Sequence, residues 1–172
     1  DIRDALDEFR DVFSEMPAVL LLELFSIHHT LDKNGNNLIS WRQLSDVIRV
    51  LNSYLQRRAL CGYDTSDLTN YFPGLLKGIL DECNGNYENL VEIFKKHVVN
   101  QSRGFAAKMP TDTEIRERLL NADMYSIRAS VKIFFKKLEN ENNNVKIDFS
   151  KLNIEHLMPQ NTTKLWLESL DT

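Results

Sequence analysis

Apolar residues recur at intervals of three and four along almost the whole first 138 residues of this sequence. The stripes run from Ile2 and Leu6 near the start to Phe134 and Leu138. This spacing marks one face of an α-helix, which repeats about every 3.6 residues. Residues that interrupt helices are few, since the 172 residues include only 6 glycines and 4 prolines. The sequence therefore predicts a mainly α fold, a multi-helix bundle of about seven helices up to residue 139.

Residues typical of helix ends divide these stripes into segments. Ser40 with Gln43, and Thr111 with Glu114, have the form of a capping box, in which each residue's side chain bonds the other's backbone amide at a helix start. Gly62 is placed to end the helix that follows Ser40, because glycine adopts the left-handed conformation at low cost. The other predicted boundaries are Pro17 in the first turn of a helix, residues 64–67 as a start, Pro73 as a kink or restart, and Asn86 as a cap.

Charge and cysteine content narrow the class of protein. The formal net charge is −4, yet residues 1–32 hold eight acids and two bases, while residues 128–151 hold six bases and three acids. The basic end is compatible with phosphate contacts, although a solvated helix face gives the same count. Cys61 and Cys83 are too few for a disulfide framework and favour a reducing, cytoplasmic setting. No apolar run approaches the roughly 20 residues of a membrane span, and no secretory leader is recognisable, so no membrane contact is expected.

The segment from Asp32 to Gln43 is similar to a calcium-binding loop. Asp32, Asn34 and Asn36 occupy its first, third and fifth positions, where oxygen ligands are expected. The sixth position, which needs glycine for a sharp turn, is Asn37, and the twelfth, which should supply a bidentate glutamate, is Gln43. The segment is therefore interpreted as an ordinary connection between two helices.

Histidine and arginine pairs have structural as well as functional interpretations. His28 and His29 are adjacent, so on a helix their side chains point about 100° apart and do not chelate one ion together. These two residues and His97 are interpreted as packing or surface histidines. Arg57 and Arg58 lie near a predicted helix end, where positive charge complements the helix dipole. A structural salt bridge and a phosphate contact are the two alternatives for this pair.

The sequence pattern changes after residue 139. Residues 140–144 are polar, and residues 145–149 then alternate apolar and polar side chains, which predicts a short β segment. Glu155 and His156 come next, just before a predicted turn at Pro159. Phosphodiester hydrolysis needs a metal ion to stabilise the leaving oxygen and a base to deprotonate water. An acid followed by an imidazole supplies one group for each task, so Glu155 and His156 are candidate metal-binding and catalytic residues.

Residues 154–160 resemble the Asp/Glu-His-Ile-x-Pro start of His-Asn-His (ββα-metal) nucleases. With Glu in first place and Pro-Gln at the end, the segment looks like the C-terminal region of the Gmr-type (GmrSD) modification-dependent restriction endonucleases. Three helical segments agree: residues 53–62 resemble the family's Tyr-Leu-x-Arg-Arg helix end, residues 110–114 its Pro-Thr-Asp helix start, and residues 134–139 the helix that leads into the nuclease motif. The resemblance spans about residues 17–166.

This resemblance implies a bacterial defence endonuclease as the parent protein. The parent would cleave DNA with a divalent metal, Mg²⁺ or Mn²⁺, and carry an upstream nucleotide-hydrolysing domain. His156 would be the general base and Glu155 a metal ligand. Residues 1–139 would form a helical domain, and residues 140–172 the first part of an HNH-like nuclease motif, an incomplete ββα-metal unit. Because the family pattern completes its metal site beyond Thr172, this chain alone is expected to bind no metal and to leave DNA uncut.

A non-catalytic helical module is the second interpretation of the same sequence. Such a module would position other domains or bind a protein partner, and most residues here have the pattern of core or solvated helix face. The two interpretations predict different coding sequence beyond Thr172 in the gene. A Gly-Asn-Leu segment with an Asn-rich continuation favours the nuclease, and an unrelated domain favours the module.

Overall fold

The computed structural model describes residues 1–12, 17–64, 68–101, 107–123, 128–142, 151–152 and 163. Within these ranges the chain forms seven α-helices: α1 (Ile2–Val12), α2 (Ala18–His29), α3 (Trp41–Cys61), α4 (Leu68–Cys83), α5 (Leu90–Gln101), α6 (Asp112–Asn121) and α7 (Arg128–Asn142). The predicted mainly α fold is confirmed. The β segment predicted at residues 145–149 lies outside the described residues.

The caps predicted for α3 and α6 are both formed. At the start of α3, the Ser40 hydroxyl accepts from the Gln43 amide at 3.2 Å, and the Gln43 side chain accepts from the Ser40 amide at 2.9 Å. Thr111 and Glu114 form the same reciprocal pair at the start of α6. Gly62 comes directly after α3 with φ 70° and ψ 28°. Its left-handed conformation lets the amides after α3 bond the last free carbonyls of the helix, as local sequence predicts.

Other helix boundaries differ from the sequence prediction. Pro17 lies immediately before α2 rather than inside its first turn. Pro73 does not restart α4, which runs through it. The side-chain oxygen of Asn86 accepts a hydrogen bond of 3.0 Å from the Glu88 amide in a local turn, and α5 begins only at Leu90. These side chains take part in the predicted local interactions, but the packing of the bundle decides where regular helix begins.

The central helix of the bundle is α3. Helices α1, α2, α5 and α6 pack against it, and α4 packs against α2 and α5. Ten of the 21 residues of α3 are buried, among them the stripe Leu44, Val47, Leu51 and Leu55. The other helices complete the core with Leu20, Leu24, Leu68, Phe72, Leu75, Ile79, Leu90, Phe94 and Val98. Since each buried side chain of this size contributes about 1.5–3 kcal/mol, this shared apolar face holds the helices together.

Polar contacts fix α1 on the central helix. Ala5 is fully buried against α3, where a small side chain allows close approach of the two backbones. Its carbonyl oxygen accepts a hydrogen bond of 2.9 Å from the Asn52 side chain, which is itself buried. Gln56 donates to Glu8 at 3.0 Å one turn further on. A buried amide on α3 therefore sets the position of α1, which apolar packing alone would leave free to slide.

The chain divides into two compact units, Asp1–Ile133 and Phe134–Thr172. The first contains α1 to α6 and the apolar core around α3. In the second, the rings of Phe134 and Phe135 lie 6.0 Å apart on α7. The domain boundary predicted between residues 139 and 140 stays a prediction. None of the described helices is both long enough and apolar enough to cross a bilayer.

Candidate functional site

The predicted catalytic pair, Glu155 and His156, lies outside the described residues. Three of the four motifs behind the family resemblance are described, and the fold brings two of them together. The end of α3 and the residues just after it, 54–63, lie against residues 107–118, which lead into α6 and form its first two turns. We call this contact region the α3–α6 junction; its polar members are Tyr54, Arg57, Arg58, Tyr63, Lys108, Asp112, Glu114 and Arg118.

Arg58 is the buried centre of the junction, with 2% of its surface exposed. Its Nη1 donates to the carbonyl oxygen of Lys108 at 3.0 Å, and its Nη2 donates to the carbonyl oxygen of Asp64. The guanidinium also lies 5.8 Å from the ring centroid of Tyr54 and 5.5 Å from that of Tyr63. Arginine suits this position because its planar group can donate at its edge while its face contacts aromatic rings.

Arg57 joins the two motifs directly. Its Nη1 donates to the carbonyl oxygen of Pro110 at 3.0 Å, and its Nη2 contacts the carboxylate of Asp112 at 2.5 Å. Asp112 is the first residue of α6, where a negative charge also complements the helix dipole. Both arginines are therefore engaged inside the protein. The salt-bridge alternative is confirmed for Arg57, and burial leaves Arg58 no access to a phosphate.

Glu114 connects the cap of α6 to the end of α3. One carboxylate oxygen accepts from the Lys108 ammonium at 2.5 Å and from the Tyr63 hydroxyl at 2.8 Å. The other accepts from the backbone amide and the hydroxyl of Thr111, both at 2.9 Å. These donors, Lys108 first, lower the pKa of Glu114 to about 2. The carboxylate therefore stays ionised at neutral pH and acts as a structural anchor rather than as a proton donor.

Tyr54 closes the junction from the core side. Its hydroxyl donates to the carbonyl oxygen of Ala107 at 2.8 Å, and its ring is fully buried. Burial raises the pKa of Tyr54 to about 12, because the phenolate would lose its hydration. The side chain is therefore a neutral hydrogen-bond donor that holds the chain before α6 against α3.

A groove of about 380 Å³ lies beside the junction. It is lined by Cys61, Tyr63, Glu114, Glu117, Arg118, Asn121 and Ala122. Burial raises the pKa of the Cys61 thiol, which keeps it protonated and poorly nucleophilic. Cys61 and Cys83 are both free thiols, as the low cysteine count predicts. The cysteine that lines this groove is therefore not an activated nucleophile.

The histidines at the end of α2 both bond backbone carbonyl oxygens, His28 as a buried residue and His29 as an exposed one. Nδ1 of His28 donates to the carbonyl oxygen of Ile39 at 2.7 Å, and Nδ1 of His29 donates to that of Phe25 at the same distance. The ring of His28 lies 3.8 Å from that of Trp41. His97 instead contacts the Glu82 carboxylate at 2.8 Å, joining α5 to α4.

The loop that looks like a calcium site is closed by its own hydrogen bonds. Oδ1 of Asp32 accepts from the amides of Asn34 at 2.8 Å and Asn36 at 2.9 Å. The Gln43 oxygen, in the position of the bidentate ligand, accepts from Ser40. The segment connects α2 to α3, and these two oxygens are engaged in hydrogen bonds of the loop and the helix cap. Within the described ranges, no three His, Cys, Asp or Glu side chains converge as a metal site would require.

Several junction residues were not identifiable from the sequence as a set. The capping pattern identifies Thr111 and Glu114, but it gives no sign that Glu114 also contacts Lys108 and Tyr63. Tyr63 and Glu114 are 51 positions apart in the chain, so their contact depends on how α6 packs. The two family-like motifs, residues 53–62 and 110–114, gave the available signal, since they contain four of the six charged residues of the junction.

Comparison with known proteins agrees with the resemblance seen in the sequence. No curated protein and no solved structure matches the chain. A family model does match residues 109–172, a little over a third of the chain. The matched part begins at the junction, includes α6 and α7, and contains Glu155 and His156. Residues 109–172 are thus similar to the C-terminal domain of the GmrSD restriction endonucleases.

Proposed function

We propose that this chain belongs to a restriction endonuclease-type defence protein that hydrolyses DNA with a divalent metal ion. The observation that supports this most directly is the match of residues 109–172 to the C-terminal domain of the GmrSD restriction endonucleases. Glu155 and His156, which the nuclease motif identifies, both fall within the matched part. The assignment of the two residues rests on that motif.

The chemistry of the pair suits hydrolysis of a phosphodiester. A carboxylate is the kind of ligand that Mg²⁺ and Mn²⁺ prefer, so Glu155 is the proposed metal ligand. A metal bound there would stabilise the charge on the leaving oxygen. The imidazole of His156 is the proposed general base, because a histidine accepts a proton from water near neutral pH. One carboxylate ligand is too few for tight metal binding, so we propose that the 172-residue chain alone does not cleave DNA.

The helical domain proposed for residues 1–139 has a non-catalytic role. At the α3–α6 junction, Arg57 and Arg58 are the residues that could have supplied positive charge for phosphates. Arg58 is buried, and Arg57 is bonded to Pro110 and Asp112. The arginine pair is therefore part of the scaffold that fixes the start of the matched segment. The second interpretation, a non-catalytic helical module that positions other domains, is thus kept for the helical part of the chain.

The proposed surroundings of the chain follow from the same family. DNA is the proposed substrate, and an upstream nucleotide-hydrolysing domain of the same protein is the proposed partner. A defence nuclease acts where the foreign DNA enters, which is the cytoplasm. The free thiols of Cys61 and Cys83 are compatible with that reducing compartment.

The proposal is tested with the polypeptide produced from the whole gene and its His156→Ala variant. Each is incubated with modified and unmodified plasmid DNA and with Mg²⁺ or Mn²⁺, both with and without nucleoside triphosphates, and DNA nicking and linearisation are measured. We expect the wild-type protein to cut at least one of the plasmids and His156→Ala to lose at least about 100-fold in rate, the usual contribution of a general base. His29→Ala is the matched control, because His29 is exposed and its Nδ1 bonds a carbonyl oxygen of its own helix.

Two results would contradict the proposal. Equal cleavage by wild type and His156→Ala would remove the catalytic role of His156. No cleavage of any plasmid by the wild-type protein would remove the nuclease function. The 172-residue chain, assayed in parallel, is expected to leave the DNA intact.

A further inference from the structure

Helix α6 is attached to the bundle in a different way from its neighbours. None of its ten residues is buried, whereas ten of the 21 residues of α3 are. Ile115 and Leu119 are half-buried, and Leu120 is 77% exposed. Burial of apolar surface therefore contributes little to the docking of α6, compared with the helices that form the core.

Polar contacts hold α6 instead. Glu114 contacts Lys108 at 2.5 Å and Tyr63 at 2.8 Å, and Asp112 contacts Arg57 at 2.5 Å. One turn after Glu114, Nε of Arg118 donates to the carbonyl oxygen of Leu60 at 3.3 Å. Three side chains of α6 thus reach the end of α3 and its flanking residues, and each contact has at least one charged partner.

We propose that α6 is a polar latch: it undocks from α3 while the core formed by α1 to α5 stays folded. Charge pairs at a protein surface contribute little individually and are screened by salt. Local regions with few buried apolar contacts open at a lower free energy than the global unfolding of the domain. An element fastened mainly by Glu114, Asp112 and Arg118 meets both conditions.

The position of α6 gives this latch a functional meaning. It is the first helix of the segment that matches the restriction endonuclease domain. Opening of the latch would free α6 itself from the helical body, without unfolding that body. The inference uses the extent of the family match but not the catalytic assignment, so loss of the nuclease proposal would leave the latch testable on its own.

Amide hydrogen exchange of the full chain, read by mass spectrometry, tests the latch. The variant Glu114→Gln removes the charge that Lys108 and Tyr63 contact, yet glutamine still completes a capping box at that position. The matched control is Glu117→Gln, which makes the same charge change on an exposed residue of the same helix. We expect Glu114→Gln to speed exchange of amides 116–121 about five-fold, with no change in the amides of α3.

Salt gives an independent reading on the unaltered chain. Raising NaCl from 50 mM to 500 mM is expected to speed exchange in residues 116–121 and to leave the core of α3 unchanged. Added salt weakens an ion pair because it shortens the screening length, which is about 10 Å at 0.1 M. Equal effects of Glu114→Gln and Glu117→Gln would overturn the proposal, because they would indicate helix charge rather than docking. Parallel acceleration in α3 would overturn it as well, since α6 would then unfold only with the whole bundle. No response of α6 to the variant and to salt would also exclude a polar latch.

Discussion

Replacing Arg58 with methionine tests whether the buried guanidinium stabilises the bundle. Methionine has a similar length and no branch, so the packing of the aliphatic part of the side chain is retained. The variant removes the hydrogen bonds to the carbonyl oxygens of Lys108 and Asp64 and the contacts with the rings of Tyr54 and Tyr63. The change therefore separates the charge of Arg58 from its volume.

The expected loss is worked out from these contacts. Two charge-assisted hydrogen bonds contribute about 1.5 kcal/mol each at the low end of their range, which suits acceptors that are only partly buried. Contacts with two aromatic rings add about 0.5–1 kcal/mol each. The variant regains about 1–3 kcal/mol, because Nε of Arg58 is buried without a hydrogen-bond partner among the described residues. The free energy of unfolding should therefore fall by about 1–4 kcal/mol.

Urea denaturation followed by far-UV circular dichroism measures this loss. The matched control is Arg49→Met, because Arg49 is an exposed residue on the same helix. The control should change the free energy of unfolding by less than about 0.5 kcal/mol. For a chain of this size, the expected loss in Arg58→Met corresponds to a melting temperature lower by about 2–16 °C. If Arg58→Met is as stable as the wild type, desolvation of the guanidinium outweighs its contacts and the reasoning is refuted.

Two further predictions concern single side chains of α3. Burial raises the pKa of Tyr54 to about 12, so the folded protein holds this proton more tightly than the unfolded chain does. The free energy of unfolding should therefore decline by about 2–3 kcal/mol as the pH rises from about 10 to 12. In urea titrations over that range Tyr54→Phe should lack this component, and identical pH profiles for variant and wild type would contradict it. Ser40→Ala removes the hydroxyl that caps α3 and should lower the free energy of unfolding by about 1 kcal/mol. Ser53→Ala, within the same helix, is the control and should not lower it. Equal effects of the two variants in thermal melts would argue against the cap.

Much of the secondary structure could be predicted because its signals are local. A helix start depends on side chains within three or four positions, so the capping boxes at Ser40 and Thr111 are visible in the sequence and present in the fold. The helix end at Gly62 follows from the freedom of glycine to adopt positive φ. The same spacing argument identified the buried stripe on α3. Helix α5 begins later than predicted. The turn at Asn86 forms from local contacts, but the residue at which regular helix begins, Leu90, depends on packing against the rest of the bundle.

The sequence by itself determined the helical class, the helix boundaries at Ser40, Gly62 and Thr111, and the motifs that relate residues 109–172 to restriction endonucleases. Only the tertiary structure decided what Arg57 and Arg58 do. As a pair in the sequence they suited a helix end, a salt bridge or a phosphate equally, because charge and spacing along one helix do not specify a distant partner. Packing of α6 brings Pro110 and Asp112 to Arg57, and burial between two tyrosine rings gives Arg58 backbone carbonyls as its partners. The choice among the three roles depended on contacts about fifty residues apart, which arise when the helices share a core.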